Sequence, residues 1–162
     1  MKKIDRRRRY YIVVDVETAG GLGNPLVYDI GFAITDKHGN IYEKHSYMIK
    51  EIWENRALML SAYYAKKIPR YELDIANGTR RVVTFMEMRD IMLSEMRKYK
   101  VEIFAAYNSM FDIRALTTTI RFLTQDKSIE FLTEEFKDIE QLCIWCLACE
   151  NLYTQASFRN MA

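Results

Sequence analysis

The feature that most constrains this chain is an apolar, β-branched run from Tyr10 to Val16 that closes on two carboxylates, Asp15 and Glu17. Such a run reads as a buried strand. Thr18 and then Ala19-Gly20-Gly21-Leu22-Gly23-Asn24-Pro25 end it in a turn. Side chains two apart on a strand leave the same face, so Asp15 and Glu17 project together while Val16 points into the opposite layer. Adjacent acids repel, and burying them is costly unless cations bind between them. Two Mg²⁺ or Mn²⁺ ions about 3.5–4 Å apart would convert that repulsion into a site. A strand end with solvated acids is the plainer and commoner alternative for an isolated Asp-x-Glu.

Two further extended runs follow, Leu26–Thr35 and Asn40–Ile49, joined by Asp36-Lys37-His38-Gly39-Asn40, whose glycine suits a short hairpin loop. Three antiparallel strands are expected. Residues 51–76 are expected to be partly helical, with Trp53, Leu58, Leu60, Tyr63 and Tyr64 as apolar contacts, and to end near Ile68-Pro69. Asn77-Gly78 breaks the chain. Thr84-x-x-Glu87 has capping-box spacing, with Val83 and Met88 placed as a hydrophobic staple, so a helix is predicted from Phe85 to about Lys98. Met88, Met92, Met96 and Tyr99 form its core-facing stripe. Val101–Tyr107 reads as a second central strand, followed by a helix over Phe111–Thr124, a short strand over Lys137–Leu142 and a last helix over Cys143–Tyr153. With the later strands parallel to the first, the layout is α/β, a mixed sheet of three antiparallel strands plus parallel strands flanked by helices.

The glycines at 20, 21 and 23 do not make a dinucleotide-binding GxGxxG and read as turn residues. Charge is uneven along the 162 residues: Met1–Arg9 carries +5 of a total of +2, leaving −3 for the remainder. The chain therefore reads as a basic arm over residues 1–9 and one domain over 10–162. Lys2, Lys3 and Arg6–Arg9 are either a phosphate-neutralising arm or a solvated flank. No stretch has the roughly 20 apolar residues of a membrane helix and no signal peptide is seen, so a soluble, cytoplasmic chain is expected. The cysteines, Cys143-x2-Cys146-x2-Cys149, are too few and too clustered for a disulfide framework. They read as buried thiols packed among Leu142, Trp145 and Leu147 rather than as a metal site.

Asn108-Ser109-Met110-Phe111-Asp112 stands where the second central strand gives way to a helix, so a third carboxylate reaches the edge that holds Asp15 and Glu17. In isolation Asn108 reads as a helix cap and Asp112 as a favourable first-turn acid. Taken with Val13-Val14-Asp15-Val16-Glu17-Thr18, Ala105–Asp112 and Tyr28-Asp29-Ile30-Gly31-Phe32-Ala33, the chain resembles the DEDD 3′-5′ exonucleases, the proofreading superfamily of ribonuclease H-like fold. The stretch after Ile49 looks similar to phage-encoded members. The resemblance implies Asp15 as a ligand shared by two metal ions, Glu17 as a ligand to one, and Asp112 as the second-motif carboxylate, with Mg²⁺ or Mn²⁺ as cofactor. It implies attack by metal-bound water on the terminal phosphodiester of a DNA or RNA single strand at its 3′ end. Thr18 and Asn108 would lie against the substrate, and Phe111 would contact a base or pack, packing being favoured because it opens a helix.

The family's third motif is a late-helix aspartate preceded by a histidine or tyrosine acting as general base. Here no histidine follows His45, no aspartate follows Asp138, and Tyr153–Phe158 contains no acid. Two expectations compete. One is a shortened, weakly active exonuclease lacking that helix, its uncovered surface met by a protein partner or a second copy near Phe158 and Met161. The other is a noncatalytic protein that keeps the fold to bind nucleic acid or a host protein. Plain RNA binding through the arginine arm is weaker, because no aromatic-basic stacking motif accompanies it.

Overall fold

The computed structural model describes residues 4, 5 and 7–152, with side chains to residue 150. Lys2, Lys3, Arg6, Tyr153–Phe158 and Met161, on which several of the expectations above fall, lie outside the described residues. Strands β1 (Tyr10–Ala19), β2 (Leu26–Asp36) and β3 (Ile41–Ile49) lead into short helices α1 (Lys50–Trp53) and α2 (Arg56–Leu60) and then α3 (Ile68–Ala76). Strand β4 (Arg81–Val83), helix α4 (Phe85–Tyr99), strand β5 (Ile103–Ala106), helix α5 (Ser109–Thr124), strand β6 (Glu140–Cys143) and helix α6 (Ile144–Leu152) complete the order. The strands form one six-stranded sheet, β4-β3-β2-β1-β5-β6. Strands β1, β2 and β3 are antiparallel neighbours, whereas β5 runs parallel to β1, β6 parallel to β5, and β4 parallel to β3. Among the described residues no helix is long and apolar enough to cross a membrane.

Alternation along β1 sets the two sheet faces. Tyr10, Ile12, Val14 and Val16 are buried, whereas Tyr11, Val13 and Glu17 are half-buried and Asp15 is exposed. The predicted methionine stripe of α4 is in the core: Met88, Met92, Met96 and Tyr99 are all buried, with Tyr99 against Tyr10 at 5.4 Å between ring centroids. Thr84 caps α4 by accepting from the Glu87 amide, as the capping-box spacing predicts. Helix α5 is tied to the start of β2 by Thr119, whose hydroxyl accepts from the Val27 amide at 2.9 Å. Phe131 packs on Phe85 and its carbonyl accepts from Arg89, closing the space beside α4.

Several expectations are corrected. Pro69 opens a helix instead of ending one, because a proline in the first helical turn forfeits no intrahelical hydrogen bond. Residues 51–76 break into three short α-helices and a 3-10 turn over Ala65–Lys67, so one helical period does not describe their burial. Leu60 and Tyr63 are exposed, while Ile52, Met59, Ile68 and Tyr71 are buried. Strand β4 had no counterpart in the sequence reading; three residues carry too little pattern to be recognised. The first strand runs on to Ala19 through an irregularity at Glu17/Thr18, so the two acids lie inside it. The thiols are not buried: Cys146 is exposed, and Cys143 and Cys149 are half-buried.

Arg8 and Arg9 of the arm are engaged. Arg8 pairs with Asp36 at 2.6 Å, and Arg9 bridges Glu102 at 2.8 Å and Glu140 at 2.9 Å. Asp36 is buried, which opposes its charge, yet hydrogen bonds from Asn40, Arg8 and Tyr42 hold its carboxyl well below the usual range. These pairs gather before the first residue of β1, roughly 25 Å of extended strand from Glu17.

Candidate active site

The carboxylates of β1 sit in a row continued by its neighbour. Asp15 lies opposite Gly31 and Glu17 opposite Asp29, while Gly31 in turn lies opposite Ser46 of β3. Glycine at 31 places no side chain beside Asp15, which is open to solvent. Asp112 reaches the same region from the first turn of α5, because β5 is registered against β1 and ends just before that helix, with Val14 opposite Ala106. Asn108 caps the helix, its side-chain oxygen accepting from the Phe111 amide at 3.4 Å.

Asp15 is the common electrostatic neighbour. The Asp112 carboxyl, only 5% exposed, is pushed up to about 6, first by burial and then by the charge of Asp15, against hydrogen bonds from the Val16 and Asp112 amides. Glu17 is raised by burial and then by Asp15, with Lys67 opposing and Asp29 adding to the rise. Asp29 is raised by burial, opposed by Arg80 and reinforced by Asp15. Asp15, Glu17 and Asp112 thus face one region from two elements that are almost a hundred residues apart. Their ligand atoms do not gather closely, however. Among the described residues, the one trio of metal-binding types with ligand atoms all within 4.8 Å of one another is Glu43, His45 and Glu95. That trio already holds Lys98, whose ammonium lies 2.6 Å from Glu43 and 3.3 Å from Glu95. It belongs to the other face of the sheet, since His45 precedes Ser46 and stacks on Phe32.

The remaining predicted residues are placed as follows. Thr18 is half-buried beyond the strand irregularity, Asn108 is exposed but occupied as the cap, and Phe111 packs against the core with the Arg114 guanidinium over its ring. Three charged residues near the site had no functional reading from sequence. Asp29 pairs with Arg80 at 2.5 Å, Arg80 also lies over the Tyr71 ring, and the Lys67 ammonium lies over the Tyr64 ring at 3.8 Å, from where its charge opposes the rise of Glu17. The strand pairing alone brings Asp29 beside Glu17, and no motif marks Lys67 or Arg80.

The raised Asp112 has a pH consequence. An ordinary aspartate titrates near 3.9, so between roughly pH 4 and 6 the folded chain binds more protons here than the unfolded chain. Stability is therefore lost as pH rises through that window, by about 1–2 kcal/mol after allowance for solvent screening. In metal-free buffer, Asp112→Asn is expected to raise the melting temperature near neutral pH and to leave it almost unchanged near pH 4. Equal losses at both pH values in thermal melts would contradict this.

A mixed sheet in the order β4-β3-β2-β1-β5-β6 with flanking helices is the ribonuclease H-like exonuclease fold. Among solved structures, the chain is similar to E. coli exonuclease I in its metal-free form with single-stranded DNA, with a TM-score of 0.53 and 13% identity over 88% of this chain and 30% of that one. It is likewise similar to exonuclease I in complex with the inhibitor BCBP, with a TM-score of 0.54 and 13% identity over 90% of this chain and 31% of that one. The chain thus spans less than a third of the length of these neighbours, and at this identity the likeness establishes the fold. No protein-family model and no curated protein sequence matches the chain.

Proposed function

We propose that this chain is a divalent-metal-dependent nuclease domain of the DEDD 3′-5′ exonuclease type, acting on single-stranded ends of DNA or RNA. The observation that carries the reading is the electrostatic convergence of Glu17 from β1 and Asp112 from α5 on Asp15. Asp15, Glu17 and Asp112 would hold Mg²⁺ or Mn²⁺; carboxylate oxygens are the donors these hard cations take, and a cation beside Asp112 relieves the cost of its buried charge. When bound, such ions supply Lewis acidity and an activated water for phosphodiester hydrolysis.

The chain's own residues provide the rest. Asp15 is open to solvent and accessible to a strand end. Leu22, 80% exposed in the loop after β1, and Met110, 76% exposed beside Asp112, offer apolar surfaces for a terminal base. Arg114 donates to the Leu22 carbonyl at 3.2 Å and so links that loop to α5. Thr18 and Asn108 are assigned to the terminal nucleotide, and Phe111 to the packing that fixes α5 beneath it.

A binding role without catalysis is the second reading, favoured by the pairing of Asp29 with Arg80 and by the charge of Lys67 acting on Glu17, which give the acidic edge cations of its own. The test is a 3′-labelled single strand incubated with the chain in Mg²⁺ or Mn²⁺. Release of labelled mononucleotide that EDTA abolishes is the expected result. Intact label at high protein concentration, with a stable complex on a native gel, would replace this reading with the second.

A further inference from the structure

Cys143 is the last residue of β6 and directly precedes α6, so it stands at the cap position of that helix, with Cys146 three residues on. The first amides of a helix have no intrahelical acceptor and point toward its start. The Cys143 thiol donates to the Tyr107 carbonyl at 3.5 Å, and the Trp145 amide donates to the same oxygen at 2.9 Å. Tyr107 and Trp145 meet edge to face with ring centroids 5.6 Å apart, which fixes the start of α6 against the end of β5. Cys146 is exposed and Cys143 half-buried, so both can be reached from solvent.

We propose that Cys143 and Cys146 form a thiol–disulfide exchange site whose oxidant is a small-molecule disulfide, with Cys149 left reduced. Cys143 and Cys146 stand one helical turn apart at the start of α6, a spacing that a disulfide can bridge. The Cys146 amide, as the largest cause, together with the Cys146 thiol and the Ser109 and Trp145 amides, holds the Cys143 thiol below its ordinary range against burial, and Cys143 in turn raises Cys146. Standing at the cap position, where the first amides of α6 point, Cys143 is the attacking group and Cys146, inside the first turn, the resolving one. Cys149 lies in the body of α6, where backbone amides are used by the helix.

In the first step the Cys143 thiolate attacks one sulfur of the small disulfide, forming a mixed disulfide and expelling one thiolate. In the second, the Cys146 thiolate attacks the Cys143 sulfur and expels the other. Both protein protons pass to the departing thiolates, and two electrons pass from the protein to the small disulfide. The products are a Cys143–Cys146 disulfide and two small thiols. Oxidation also removes the hydrogen that Cys143 donates to Tyr107, the residue before the Asn108 cap of the Asp112 helix. Any effect on nuclease activity rests on the reading above, whereas the exchange itself does not.

The reduced full chain is to be treated with oxidised glutathione, quenched with iodoacetamide and digested with chymotrypsin, which cuts after Trp145 and Leu147 and so separates the three cysteines. The expected product is a Cys143–Cys146 cross-link lighter by two hydrogens, with Cys149 alkylated. Cys146→Ser is expected to accumulate a glutathione adduct on Cys143, and Cys143→Ser to react several times more slowly than the parent. A Cys146–Cys149 link, or adducts spread evenly over the three thiols without a cross-link, would overturn the proposal. Circular dichroism of each variant establishes that it is folded, and the parent-chain map stands independently of them.

Discussion

Asp15→Ala is expected to lower metal-dependent release of a 3′ label on the order of 10²–10⁴-fold, the range for loss of a positioned catalytic group. Asp15 is the carboxylate that both Glu17 and Asp112 sense, so its removal takes away the group through which β1 and α5 act together. Misfolding does not account for the expected loss. Asp15 is exposed, and deleting its charge relieves repulsion on its neighbours, so the metal-free melting temperature should hold or rise. In the parent chain, Mn²⁺ at a hundredfold excess over its Kd should add roughly 2.7 kcal/mol. For a domain of this size that is roughly a 5–10 °C rise in Tm. The rise should vanish in Asp15→Ala. Undiminished label release by the variant, or an Mn²⁺-dependent rise equal to the parent's, would remove Asp15 from the site.

Phe104→Ala is the substitution expected to cost most in stability, about 3–5 kcal/mol, as for a large aromatic removed from a packed core. Phe104 is fully buried on β5, opposite Ile12 of β1 and Gln141 of β6, so the cavity would open where the parallel half of the sheet joins the antiparallel half. Against the roughly 5–15 kcal/mol that a domain has in total, the loss is severe. A fall in Tm of roughly 10–15 °C should follow. Leu22→Ala, at a residue 80% exposed, is the matched control and should change stability by less than about 0.5 kcal/mol. Similar urea midpoints for the two variants would mean that β5 is not the central strand described above.

Strands β1, β2 and β3, helix α4 with its methionine stripe, and the order of β5 and α5 were legible in the chain because their signals are local. Alternation, a capping box and a turn glycine are each properties of a few consecutive residues. Gly20 at the end of β1 is an example: its φ is +82° and an added Cβ would lie 2.8 Å from the Asn24 carbonyl, so the turn requires glycine. The carboxylates at 15, 17 and 112 were legible for the same reason, since a strand places the first two on one face and an Asn-x3-Asp step puts the third in the first turn of a helix.

What lay beyond the sequence depended on residues distant in the chain. Pairing between β1 and β2 is what sets Asp29 beside Glu17, and the chain between β3 and β4 brings Lys67 and Arg80 to the acidic edge. The exposure of the cysteines followed from where α6 docks; a helical spacing of thiols is the same whether the helix lies over a core or at its margin. The sequence by itself thus determined which segments form strands and helices and which acids share an element, because backbone geometry and side-chain alternation act over neighbouring residues. Only the tertiary structure decided which charges meet, which thiols see solvent and how far burial raises Asp112, because burial and Coulomb interactions depend on distances in space.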